Sequence, residues 1–142
     1  MPTRTQPVLL RVAMEESQFT NRQGIAALVI LASRTGVEIT VNSRFRVNLR
    51  TLPHELFLKL RRGKRELTFL ARIRVDPTAF RFTRLMPGAV IGQRIVLSDY
   101  FDIKPGRYRL AVTYVNNDDP PDQPGIVAWK GELRSETSFT VK

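Results

Sequence analysis

Arg107-Tyr108-Arg109-Leu110-Ala111-Val112-Thr113-Tyr114 puts Tyr108, Leu110, Val112 and Tyr114 at every second position, with charged, small or hydroxyl residues between them. A strand sends successive side chains to opposite faces, so this segment has one apolar face and one that tolerates water. Such alternation marks a half-buried strand of an antiparallel sheet. Arg44-Phe45-Arg46-Val47-Asn48-Leu49-Arg50 alternates in the same way. So does the stretch from Arg65 to Val75, with Leu67, Phe69, Ala71, Ile73 and Val75 on one face.

Read outward from these segments, the chain divides into strands at residues 8–14, 24–33, 37–41, 44–50, 55–61, 64–75, 79–83, 89–97, 106–115, 127–134 and 137–141. Turn chemistry separates them. Arg61-Arg62-Gly63-Lys64 reads as a tight hairpin, and Arg34-Thr35-Gly36, Met86-Pro87-Gly88 and Lys104-Pro105-Gly106 read as turns. Ser98-Asp99-Tyr100-Phe101-Asp102 can close one helical turn with Ser98 or Asp99 as its cap. The long loop runs Asn116-Asn117-Asp118-Asp119-Pro120-Pro121-Asp122-Gln123-Pro124-Gly125. No window long enough for an ordinary helix carries a 3.6-residue stripe. Many short strands with regular turns imply an all-β sandwich or barrel.

Three segments narrow that choice: Leu97-Ser98-Asp99-Tyr100-Phe101, Lys104-Pro105-Gly106-Arg107-Tyr108-Arg109-Leu110, and Trp129-Lys130-Gly131-Glu132-Leu133-Arg134-Ser135. Together they resemble bacterial immunoglobulin-like sandwich domains, including the group around the intracellular proteinase inhibitor family. The resemblance implies an immunoglobulin-like antiparallel β-sandwich. It also implies a corner at Pro105-Gly106 where the Tyr108 hydroxyl caps a backbone group. Antibody domains place a cysteine two residues after that tyrosine; here the position is Leu110. Domains of this build serve as inhibitors, adhesins, decoration proteins and accessory modules, so the resemblance carries a fold and no activity.

The 142 residues suit one domain, 1–142, with 1–7 expected to form a flexible N-terminal arm. Cysteine is absent, which removes disulfides, thiolate metal sites and a cysteine nucleophile. The apolar run Val8-Leu9-Leu10 stops at Arg11, too short for a secretory leader, and the most apolar window, 24–33, has strand length. A cytoplasmic location is the expectation.

Catalytic patterns are weak. His54 is the only histidine and stands in a turn-like Leu52-Pro53-His54-Glu55, without the partners a triad or a zinc site needs. Asp118, Asp119 and Asp122 could cluster around calcium, but acidic residues beside prolines are ordinary turn chemistry. No phosphate-binding glycine loop or nucleophile elbow occurs. The expectation is a non-enzymatic protein with no cofactor and no metal.

Charge is the feature that points to function. The formal net charge is +10, and from Arg44 to Arg84 twelve basic residues face three acidic ones. Alternation would align Arg44, Arg46 and Arg50 in one outward row, and Arg72 and Arg74 in another. These five are the expected partner-binding residues. Like charges stacked across strands cost stability unless acids or an anionic partner cover them. An acidic protein surface, presented by a larger assembly, is the expected partner. Nucleic acid bound through its phosphates is the second class that the charge admits, and a proteinase engaged by the 118–125 loop is a third. A plain solubility surface would carry such charge too.

Overall fold

The computed structural model describes residues 7–20, 24–45, 47, 55–70 and 81–142. These residues form ten strands, β1 (Val8–Met14), β2 (Gln18–Phe19), β3 (Ala26–Ser33), β4 (Ile39–Asn42), β5 (Leu56–Arg62), β6 (Arg65–Glu66), β7 (Phe82–Leu85), β8 (Val90–Val96), β9 (Gly106–Asn116) and β10 (Gly131–Val141). The only helical element among them is a 3₁₀ turn, Leu97–Asp99. The fold is all-β.

Three sheets result, with strand orders β1-β3-β8, β2-β10-β9-β5-β6 and β4-β7. All pairings between named strands are antiparallel except β2 with β10. β9 is the hub of the five-stranded sheet. It pairs with β10 from Gly106 to Asn116, and with β5 from Arg62↔Tyr108 to Leu56↔Tyr114. Its even positions, Tyr108 to Tyr114, are buried as the alternation predicts. They share one apolar core with Val8 and Leu10 of β1, Val29 and Leu31 of β3, and Leu56 and Leu60 of β5.

The chain between β1 and β2 ties two sheets together along one side. β1 pairs with β3, then the chain crosses and β2 pairs with the C-terminal end of β10. The Val12 amide donates to Ser135 Oγ at 3.3 Å, and the Thr140 amide to the Ser17 carbonyl at 3.0 Å.

The corner before β9 forms as the Pro-Gly-x-Tyr segment implies. Tyr108 Oη donates to the Lys104 carbonyl at 2.5 Å and accepts from the Lys104 amide at 3.0 Å. The ring itself stacks on Phe139, with centroids 5.2 Å apart. Trp129 is half-buried, and its ring stacks on Tyr114 at 6.1 Å and lies over Gly131. Any Cβ at Gly131, where φ is +146°, would meet that ring at 3.0 Å.

Several expected boundaries shift. Residues 127–134 and 137–141 are not two strands, because β10 runs unbroken through Ser135 and Glu136 in register with β9. Strand 37–41 is displaced to Ile39–Asn42, and the two-residue β2 was not expected. Ser98 and Asp99 lie inside the 3₁₀ turn instead of capping it, since the cap position is Val96. Phe45 has φ of +50°, so the backbone turns there and residues 44 and 45 belong to no strand. β6 ends at Glu66, and 67–70 leave the ladder; residues 71–75 and 79–80 lie outside the described residues.

Tyr108→Phe should remove the corner hydrogen bonds while leaving the ring in place. The expected loss is about 1–2 kcal/mol, read as a lower urea midpoint at constant slope. A midpoint equal to that of the parent protein would show that the corner hydroxyl does not support the fold.

Candidate docking surface

Arg44 does not stand on an outward face. Its side chain is 11% exposed, and both Nε and Nη2 reach Glu55 Oε1 at 2.8 Å. The positive φ at Phe45 breaks the alternation that would have turned Arg44 toward solvent. Arg46, Arg50, Arg72 and Arg74, and likewise His54, lie outside the described residues. The expected row of docking arginines therefore loses its first member to an internal ion pair.

That pair belongs to a buried polar network. Asn42 Nδ2 donates to Glu55 Oε1 at 3.0 Å and lies 3.2 Å from Asn116 Oδ1, while Tyr114 Oη donates to the Asn42 carbonyl at 2.6 Å. Asn116 Nδ2 donates in turn to the Trp129 carbonyl at 2.8 Å and the Asp118 carbonyl at 3.0 Å. Burial, reinforced by the negative charge of Glu55, raises the Tyr114 hydroxyl well above the ordinary tyrosine range, so it stays protonated and donating. The network joins the end of β4, the start of β5 and the end of β9. Its chemistry is positional, because its donors and acceptors are turned on one another inside the protein.

The water-facing side of the five-stranded sheet is different. Odd positions of β9 pair outward with Phe57, Lys59 and Arg61 of β5 on one side and with Arg134, Glu136 and Ser138 of β10 on the other. At the hairpin end, cations meet cations. On this face Arg61 lies directly opposite Arg109; Arg62, level with Tyr108, opposes Arg65 on the other side of the hairpin. Arg107 follows on β9, and Lys64 occupies the hairpin tip. The Arg62 guanidinium is laid against Gly106, where a Cβ would come within 2.6 Å of its Nε.

Arg109 pairs with Glu136 at 3.1 Å, an acid that Arg134 also approaches at 3.8 Å. Glu66, opposite Arg61 in the ladder, pairs instead with Lys59 at 3.8 Å. Among the described residues no carboxylate forms an ion pair with Arg61, Arg62, Lys64, Arg65 or Arg107. An open hollow of about 380 Å³ lies beside them, with Arg107, Arg109, Gly63 and the hydroxyl residues Ser17, Ser138 and Thr140 in its lining. The sequence shows this hairpin as a turn within the basic middle segment. Its meeting with Arg107 and Arg109 depends on the β5–β9 register, which no local pattern shows.

No protein-family model matches this chain, and no curated protein matches it significantly.

The acidic loop is held by its own chain. Asp119 Oδ1 accepts from the Ala128 amide at 3.0 Å and pairs with Lys130. These bonds, the Lys130 contact foremost, hold the Asp119 carboxyl below its ordinary value of 3.8.

Two measurements test these assignments. Glu55→Ala strands Arg44 in a buried position and should cost about 3–5 kcal/mol, whereas Glu55→Leu combined with Arg44→Met should recover most of it. A single-variant loss below about 1 kcal/mol in urea unfolding would contradict the network. For the loop clasp, a depressed pKa means stabilisation present above the unfolded Asp value and lost as pH falls through the folded one. The Ala128 amide resonance should therefore titrate with a midpoint below 3.8; a midpoint at or above that value would refute the clasp.

Proposed function

We propose that this protein is a non-enzymatic interaction module of immunoglobulin-like sandwich build, docking an acidic protein surface as an accessory or assembly subunit. The sandwich reading is supported by the strand orders β1-β3-β8 and β2-β10-β9-β5-β6, by the chain crossing between them after β1, and by the Tyr108 corner. The docking surface is the cationic end formed by Arg61, Arg62, Lys64, Arg65, Arg107 and Arg109. The observation that carries it is the gathering of these cations at one end of the sheet, where Arg61 of β5 lies directly opposite Arg109 of β9 and, on the other side of the hairpin, Arg62 lies opposite Arg65. Directly opposed like charges are destabilising, and an anionic surface laid over them removes the penalty. A protein partner is favoured over single-stranded nucleic acid because the exposed large hydrophobics among the described residues include no aromatic ring on which bases could stack.

The test is a charge reversal read against a matched control. The double variant Arg61→Glu with Arg107→Glu should bind fluorescent poly-glutamate at least tenfold more weakly than the parent at low salt. The difference should shrink as salt screens it. Arg84→Glu with Arg94→Glu makes the same change in net charge at residues already paired with Glu38 and Glu15, and should leave binding near the parent value. Equal losses in the two double variants would mean that overall charge acts and not this surface. Preference for oligo(dT) over poly-glutamate would favour the nucleic-acid reading instead.

A further inference from the structure

We propose that the acidic partner element also carries an apolar anchor, which seats in a groove on the same sheet face beside the cationic end. The inference rests on the docking reading above and adds the chemistry of the element that docks. The groove has a volume of about 640 Å³. Phe57, Ala111 and Thr113 lie along its floor, outward positions of β5 and β9 brought level by the ladder pair Phe57↔Thr113.

The wall is the segment that leaves the ladder after β6. Its two ends are fixed, since the Leu67 amide donates to the Leu60 carbonyl at 2.9 Å and the Leu70 amide to the Tyr100 carbonyl at 2.7 Å. Between them Phe69 stacks on Tyr100 at 5.4 Å and meets Phe101 edge-on at 5.5 Å. The wall is thus held by packing, and the apolar lining is in place before any ligand arrives.

An antiparallel sheet with one face in water ordinarily keeps that face polar. Here Phe57 points outward, and small Ala111 beside it leaves depth for a side chain to enter. Lys59, Glu66 and Arg134 stand among the residues that edge the groove, Glu66 paired with Lys59. Two residues along the strands, about 7 Å away, the next outward pair is Arg61↔Arg109. An extended segment therefore spans both features at once, with an aromatic or branched aliphatic side chain in the groove and carboxylates over the arginines. Charge complementarity selects the acidic residues, and the lining selects the anchor.

The experiment uses fluorescence anisotropy with two labelled peptides, one carrying a Leu-Phe pair flanked by glutamates and one in which serines replace that pair. The anchored peptide should bind the parent protein at least tenfold more tightly. Ala111→Phe, which fills the floor from an outward position, should erase that advantage and leave the serine peptide's affinity unchanged. Where Ala111→Phe lowers the melting temperature, Thr113→Phe blocks the same floor and should give the same result. Equal binding of both peptides to the parent would overturn the groove while leaving the cationic docking surface intact. An advantage that survives both floor-filling variants would place the anchor elsewhere and overturn it too. Failure of both peptides to bind would remove the groove together with the reading it rests on.

Discussion

The pairing of β9 on both flanks constrains everything around it. Along this strand the even residues fill the core and the odd residues face water, and both neighbours are locked in register from Gly106 to Asn116 on one side. A slip of one residue would exchange the two sets, burying Arg107 and Arg109 and exposing Leu110, Val112 and Tyr114. Burying a side chain of that kind is worth about 1.5–3 kcal/mol, and an unpaired buried arginine costs several more. The register is therefore strongly specified. The same register that builds the core also sets Arg109 against Arg61 and Thr113 against Phe57.

The two ends of β9 are secured by different means. At its start, Tyr108 returns its hydroxyl to Lys104 and fixes the angle at which the chain arrives. At its end, Asn116 joins Asn42, Glu55 and the Trp129 carbonyl, so β4 and the start of β10 are referenced to the same strand. Buried polar groups of this sort contribute little net stability when satisfied and cost much when broken. Their effect is to define where the flanking segments sit. Arg44 belongs to this internal reference and not to the outer surface.

How much of this was legible follows from the range of the signal that each feature uses. β1 and β9 are legible because period-two alternation is a local property of the chain and, up to Asn116, their inward residues are apolar. β10 looks divided because Ser135 and Glu136 interrupt the apolar pattern, yet the ladder to β9 carries them without a break. Arg44 was misplaced because alternation presumes extended backbone, and a positive φ at Phe45 leaves no mark in a string of side chains. The proposed docking surface is half legible in the sequence. Sequence shows an excess of cations in the middle of the chain, but Arg107 and Arg109 lie more than forty residues beyond the hairpin they meet, and only the β5–β9 register unites them.

The distribution of ion pairs bears on the choice between the proposed docking surface and a solubility coat. A coat spreads its excess charge, since dispersed like charges repel least and salt screens what remains. Here several of the cations away from the hairpin end are matched in place. Arg44 has Glu55, Arg84 has Glu38, Arg94 has Glu15 and Lys130 has Asp119. Arg61, Arg62, Lys64, Arg65 and Arg107 are gathered at one end, in a hairpin whose own pairing opposes arginine to arginine. Directly opposed like charges are destabilising, and at Arg61 and Arg109 part of that cost is offset by Glu66, across the hairpin from Arg61, and by the Arg109–Glu136 pair. Cations gathered at one exposed end, five of them without an ion pair among the described residues, next to an apolar groove, are the arrangement that the proposed docking of an acidic partner would use.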